Sequence, residues 1–164
     1  NKPMKKTGFV PLEGRCTCGH VTYRVTAPPL FVHCCHCTWC QRESGSAFAV
    51  NALVESSCVE ALSGHPEMTE IPSQSGKGQK MVRCPRCRVT LWSHYAGAGE
   101  ALSFIRVGTL EEAGRVPPDI HIYTSSKQDW VILPEDVPSS TGYYSARETW
   151  PAESLERARV LKSR

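Results

Sequence analysis

At 164 residues, with 40% hydrophobic and 21% charged residues, the chain has the length and balance of one soluble domain able to bury a real core. A formal charge of +3 is too small to be a nucleic-acid footprint, and no apolar run approaches the ~18 residues of a membrane span. The N-terminal residues show no signal-peptide hydrophobic region, so the expectation is a cytoplasmic protein with neither membrane nor nucleic acid as a partner.

In chain order, residues 1–13 carry Lys2, Lys5 and Lys6 with two prolines and read as a solvated N-terminal arm. The first organised piece is Gly14-Arg15-Cys16-Thr17-Cys18-Gly19. It feeds a run in which Val21, Tyr23 and Val25 alternate with Thr22, Arg24 and Thr26, the pattern of a half-buried strand. Cys16 and Cys18 thus offer two sulfurs on one face of a turn, and Gly19 lets the backbone close on a metal.

Leu30 to His33 is a short strand that delivers the densest chemistry in the chain, His33-Cys34-Cys35-His36-Cys37-Thr38-Trp39-Cys40. A core gains little from adjacent thiols, whereas a divalent cation needs several soft donors converging on one point. In extended backbone Cys35 and Cys37 share a face, and the two residues before Cys40 allow a turn that brings a third sulfur round. Cys34 and His36 lie on the other face, and either would complete the shell only if the backbone bends. Three thiolates with an open fourth position mark a reactive zinc site, and four ligands a structural one.

Gln41 to Gly45 reads as one helical turn stopped by glycine, and Ala47 to Leu53 as strand, with Phe48, Val50 and Ala52 on one face. Cys58 falls in a β-like piece, Ser57 to Leu62, as a buried apolar thiol. Gly64 to Gly78 is turn-rich around two short strands. Gln79 to Arg83 then leads into Cys84-Pro85-Arg86-Cys87, a two-sulfur knuckle that needs two more ligands. Cys16 and Cys18 are the obvious donors for a four-cysteine zinc staple, with Arg15, Arg83, Arg86 and Arg88 placed to offset its charge of minus two.

Val89 to Tyr95, Leu102 to Val107 and Asp119 to Tyr123 are further strands, with Trp130 to Leu133 a short apolar run. His121 and Trp130 read as core or rim positions. The whole predicts a mainly antiparallel β fold stapled by zinc knuckles. Pro151 to Ser163 is the one longer helix, with Leu155, Ala158 and Leu161 at helical spacing and charges matched to its dipole. Seven of the nine cysteines fall in C-x-C or C-x-x-C spacings, which suits zinc in a reduced compartment better than disulfides.

The run G-x-C-x-C-G, then C-H-C-x-x-C followed by Gln41-Arg42-Glu43-Ser44-Gly45-Ser46-Ala47-Phe48, then C-P-x-C, resembles the glutathione-dependent formaldehyde-activating enzyme family, which includes centromere protein V. Pro118 to Tyr123 and Trp130 to Pro138 look like that family's closing segment. The resemblance implies a β-tent-like fold over residues 14–138, followed by a partly helical extension over 139–164. It implies two zinc ions per chain, one structural on Cys16, Cys18, Cys84 and Cys87 and one catalytic on Cys35, Cys37 and Cys40. The implied activity is that of a carbon–sulfur lyase joining formaldehyde to glutathione. Arg88, where the family usually has glycine, and the extra thiol Cys34 depart from the pattern.

By their position His36, then His33 and His94, are candidates to move a proton, and Arg42 to hold a substrate carboxylate. The alternative reading is a zinc-stapled binding module for protein or nucleic acid, without catalytic activity.

Overall fold

The computed structural model describes residues 8–163, so Lys2, Lys5 and Lys6 lie outside the described residues. Among the described residues, ten strands form two sheets. Strands β1 (Leu12–Arg15), β2 (Thr22–Val25) and β5 (Val59–Ser63) make the smaller one. The larger, in the order β10-β3-β4-β9-β8-β7-β6, joins Ile120–Ile122, Phe31–Cys35, Ala49–Glu55, Leu102–Arg106, Thr90–Tyr95, Gln79–Arg83 and Glu67–Ile71. The order begins earlier than the sequence pattern suggests, since Leu12 is buried and pairs with Val25.

The cross-strand register explains the main core. Val82, Trp92, Ile105, Ala52 and Val32 are successive partners across β7, β8, β9, β4 and β3, so their side chains form one row on one face of the large sheet. Against that row the small sheet lays Leu12, Tyr23 and Val25, joined by Val21 just before β2. Tyr23 meets Trp92 edge to face at 5.2 Å between ring centres, and its hydroxyl is bonded to Thr109. Each such side chain taken fully from water contributes roughly 1.5–3 kcal/mol.

The opposite face carries a second row, Phe31, Leu53 and Phe104, by the same register. It is covered by the C-terminal segment, where Tyr144 and Trp150 stack on Phe31 at 5.7 and 6.0 Å. Helices α2 (Ala146–Thr149) and α3 (Ala152–Lys162) follow. The expected Leu155, Ala158 and Leu161 stripe is half-buried, and polar contacts dock α3 beside it. Ser154 Oγ donates to Leu30 O at 2.6 Å, and Arg157 grips Glu55 through two bonds of 2.6 and 2.7 Å and donates to Pro28 O at 2.8 Å.

Several local expectations change. The pairing of β10 with β3 is parallel, because β10 returns to that edge by a long crossover and not by a hairpin. Residues 64–78 hold one strand, β6, where two were expected. Trp130 lies in no strand and is 72% exposed, with Ile132 90% exposed. Cys58 ends a 3-10 turn, half-buried, with its thiol 3.7 Å from Glu55 Oε2.

Two substitutions test this packing. A Cβ on Gly14 would overlap the buried Tyr23 ring, so Gly14→Ala is expected to cost about 1–3 kcal/mol in denaturant unfolding; an unchanged midpoint would contradict the fit. Arg157→Met strands the Glu55 carboxylate, both side chains being only 12% exposed, and is expected to cost about 3 kcal/mol. A loss under about 1 kcal/mol would mean that α3 is held some other way.

Candidate metal centres

The sulfurs of Cys16, Cys18, Cys84 and Cys87 lie within 4.8 Å of one another, with Cys16–Cys18 at 3.6 Å and Cys18–Cys84 at 3.8 Å. Such spacings are far too long for disulfides, and all nine cysteines are free. They match the ~3.8 Å edge of a tetrahedron with zinc–sulfur bonds of ~2.3 Å, so the donor set fits a closed four-thiolate site. Each knuckle is turned by a left-handed residue: Gly19 at φ 75° in the first and Arg88 at φ 66° in the second. Arg88, despite its side chain, takes the conformation that a glycine there would adopt freely, and its N–H closes on Cys84 O at 3.0 Å.

Backbone N–H groups soften the sulfur charge. Val21 N donates to Cys16 Sγ at 3.3 Å and Arg86 N to Cys84 Sγ at 3.4 Å, and the backbone N–H of Cys18, then of Val89, brings Cys87 down to about 6. Three of the four arginines expected to offset the sulfur charge are paired with carboxylates. Arg15 pairs with Glu111, Arg83 with Glu43 and Arg88 with Glu67.

Cys35, Cys37 and Cys40 form the second group, again within 4.8 Å and all buried. Cys35 ends β3, Cys37 is the N-cap of α1 (Thr38–Ser44), and Cys40 lies in that helix's first turn. The two intervening residues are therefore helical, and Cys40 N donates to Cys37 Sγ at 3.3 Å. Gly45 stops the helix at φ 68° as expected. Hydrogen bonds from the Cys35 and Cys40 thiols, helped by the N–H groups of Cys40 and Trp39, hold Cys37 down to about 3, while Cys35 is pushed far up as the donor to Cys37 and Cys40. The three sulfurs thus share one negative charge, and a divalent cation would displace the other protons.

Around this group the structure adds residues that spacing did not point to. Tyr123, in a left-handed conformation at φ 54°, packs against it together with Tyr144 and Trp150. Trp150 Nε1 donates to Tyr144 Oη at 2.6 Å, and that hydroxyl bonds His33 Nε2. His33 shares the face of Cys35, and burial lowers it to about 4. Gln41 Nε2 and Ser126 Oγ both donate to His36 O, at 2.8 and 3.0 Å, tying α1 to the loop after β10. The crowding of Tyr143, Tyr144 and Trp150 after residue 139 was the signal available in the sequence. A cavity of about 400 Å³ lies between Pro28–Val32 and α3 and is lined by none of the cysteines.

Neither Cys34 nor His36 closes the three-cysteine group. Both stand on the other face of β3, where they meet His121. Cys34 and His121 are register partners on β3 and β10. His36 Nε2 lies 2.9 Å from His121 Nδ1 and 3.6 Å from Cys34 Sγ. Burial, with the nearby charges of His121 and Lys127, lowers His36 to about 4, and burial also lowers His121. His94 is three strands from β3, with Nδ1–H donating to Leu102 O at 2.9 Å, so it is not brought to either cysteine group. Arg42 sits exposed in the last turn of α1.

Residues 11–126 match the family model described as glutathione-dependent formaldehyde-activating enzyme. A relative from Halomonas elongata named "Putative glutathione-dependent formaldehyde-activating enzyme" is 27% identical over 127 residues, covering 74% of this chain and 80% of the relative. A Rhodobacter sphaeroides protein of known crystal structure aligns with 78% of this chain and 99% of its own length, at 18% identity and a TM-score of 0.48. Since the family match spans well over half of the chain and takes in both cysteine groups, the chain belongs to the glutathione-dependent formaldehyde-activating enzyme family.

Proposed function

We propose that the chain is a zinc-dependent enzyme of the carbon–sulfur lyase type, which joins a glutathione-like thiol to formaldehyde or a related aldehyde and runs the reverse reaction. The observation that carries this reading is the three-cysteine group itself. Cys35, Cys37 and Cys40 converge, while the two nearest further donors, Cys34 and His36, belong to another cluster. A site with three protein ligands has room for an outside one. In the same reading Cys16, Cys18, Cys84 and Cys87 hold a structural zinc that staples the first turn to the middle of the chain.

Bound by Cys35, Cys37 and Cys40, zinc would supply a soft partner that keeps a substrate sulfur deprotonated at neutral pH. The remaining work falls to the chain. In the forward reaction the thiol gives its proton to solvent, a sulfur–carbon bond forms as the carbonyl π pair moves to oxygen, and that oxygen takes a proton from a donor that solvent then reprotonates. Tyr123 is the donor in this reading: it packs against the apolar cluster that contains the three cysteines, and burial, reinforced by their charge, keeps its phenol protonated. Tyr144 and Trp150 exclude water from the same side. Arg42, exposed at the end of α1, is placed to meet a carboxylate of the thiol substrate.

The other reading, a binding module for nucleic acid, has less behind it. Arg15, Arg24, Arg83, Arg88, Arg115, Arg157 and Arg159 each pair with a carboxylate, which leaves little of a basic stripe.

Cys37→Ser is expected to lower thiol–formaldehyde exchange, measured by NMR above the uncatalysed rate, by at least about 100-fold, since even outer-shell changes at metal sites cost about 10–100-fold. Its unfolding midpoint should stay close to that of the unsubstituted protein, whereas Cys84→Ser should lose the cooperative transition, because binding at the staple is folding free energy. Full turnover in Cys37→Ser would sink the enzyme reading. Tyr123→Phe is expected to slow exchange by about 10–100-fold without changing metal content; an unchanged rate would remove Tyr123 from the reaction.

A further inference from the structure

We propose that Cys34, His36 and His121 form a third metal site, for a borderline-soft divalent cation such as zinc, on the face of the sheet opposite Cys35, Cys37 and Cys40. It does not rest on the enzymatic reading above. The site follows from the backbone. Cys34 and His36 are two apart on extended chain and so share a face, and the parallel register sets His121 directly beside Cys34. One thiolate and two imidazoles is a donor set suited to zinc.

The distances agree with that use. Cys34 Sγ to His36 Nε2 is 3.6 Å, the spacing that zinc–sulfur and zinc–nitrogen bonds of ~2.3 and ~2.05 Å give at the tetrahedral angle. His36 Nε2 to His121 Nδ1 is 2.9 Å, about 0.4 Å under the corresponding nitrogen–nitrogen spacing, so a small parting of the rings admits the ion. All three residues are buried, at 1%, 0% and 8% exposure.

A histidine pair alone explains the arrangement poorly. Its single hydrogen bond leaves the Cys34 thiol with only the 3.6 Å contact to the same His36 Nε2 that already meets His121. Three ligand atoms converge where only one good hydrogen bond can form, and one cation would engage all three together. The consequence is mechanical. Strand β10 is three residues long and lies at the sheet edge, so a clip from His121 to β3 would anchor the strand that leads directly into Tyr123.

The test is anomalous diffraction at the zinc edge on crystals of the zinc-loaded full chain, with metal analysis in solution. A peak between Cys34, His36 and His121, and three zinc per chain falling to two in both Cys34→Ser and His121→Gln, is expected. No peak at that position overturns the proposal, even if the variants fail to fold, and so does an undiminished metal content in both folded variants. A peak there in a protein without exchange activity would leave this site standing and remove the enzymatic reading. Activity without the peak would do the reverse.

Discussion

Strand β3 is buried along its whole length, and that constraint governs the rest of the molecule. A strand in which successive side chains point to opposite faces must have both faces covered if all of them are to leave water. The small sheet and its Tyr23–Trp92 contact supply one cover, and the aromatic C-terminal segment supplies the other. Because the strand ends in the crowded cysteines and histidines, the two faces also sort its chemistry. His33 and Cys35 go with Cys37 and Cys40 toward Tyr144 and Trp150, and Cys34 and His36 go toward His121.

Charge is handled locally in both cysteine groups. Sulfur accepts well from N–H groups that turns and helix starts leave unpaired, and those donors come at no cost in side-chain ordering. Cys37 draws on the first turn of α1, and Cys16 and Cys84 on the N–H groups of Val21 and Arg86. Of the neighbouring arginines, Arg15, Arg83 and Arg88 are paired with carboxylates. The left-handed turn at Arg88 belongs to the same economy of backbone, since it brings the knuckle closed without a glycine.

The C-terminal residues connect fold and site. α3 is attached through Arg157, Glu55 and Ser154, at the far end of a layer whose near end is Trp150, Tyr144 and His33. Loss of the helix anchor would therefore loosen the aromatic wall over the three cysteines. The loop after β10 is coupled from the other direction, through Gln41, Ser126 and Gln128.

Much of this was legible in the linear chain. Ligand spacing marks Cys16 and Cys18, Cys35, Cys37 and Cys40, and Cys84 and Cys87 as local donor sets, because metal geometry limits how far apart the donors of one turn can stand, but it leaves open whether Cys34 or His36 joins the second set. Alternation at Val21, Tyr23 and Val25 marks a half-buried strand for a similar local reason. What lay beyond reach depends on partners distant in sequence. The parallel register that puts His121 beside Cys34, the seating of Tyr123, Tyr144 and Trp150, the choice of carboxylates over thiolates by the arginines, and the polar docking of α3 are each decided by which strands and loops meet. No short-range pattern encodes that meeting, and the placement of these side chains is therefore a property of the assembled sheets alone.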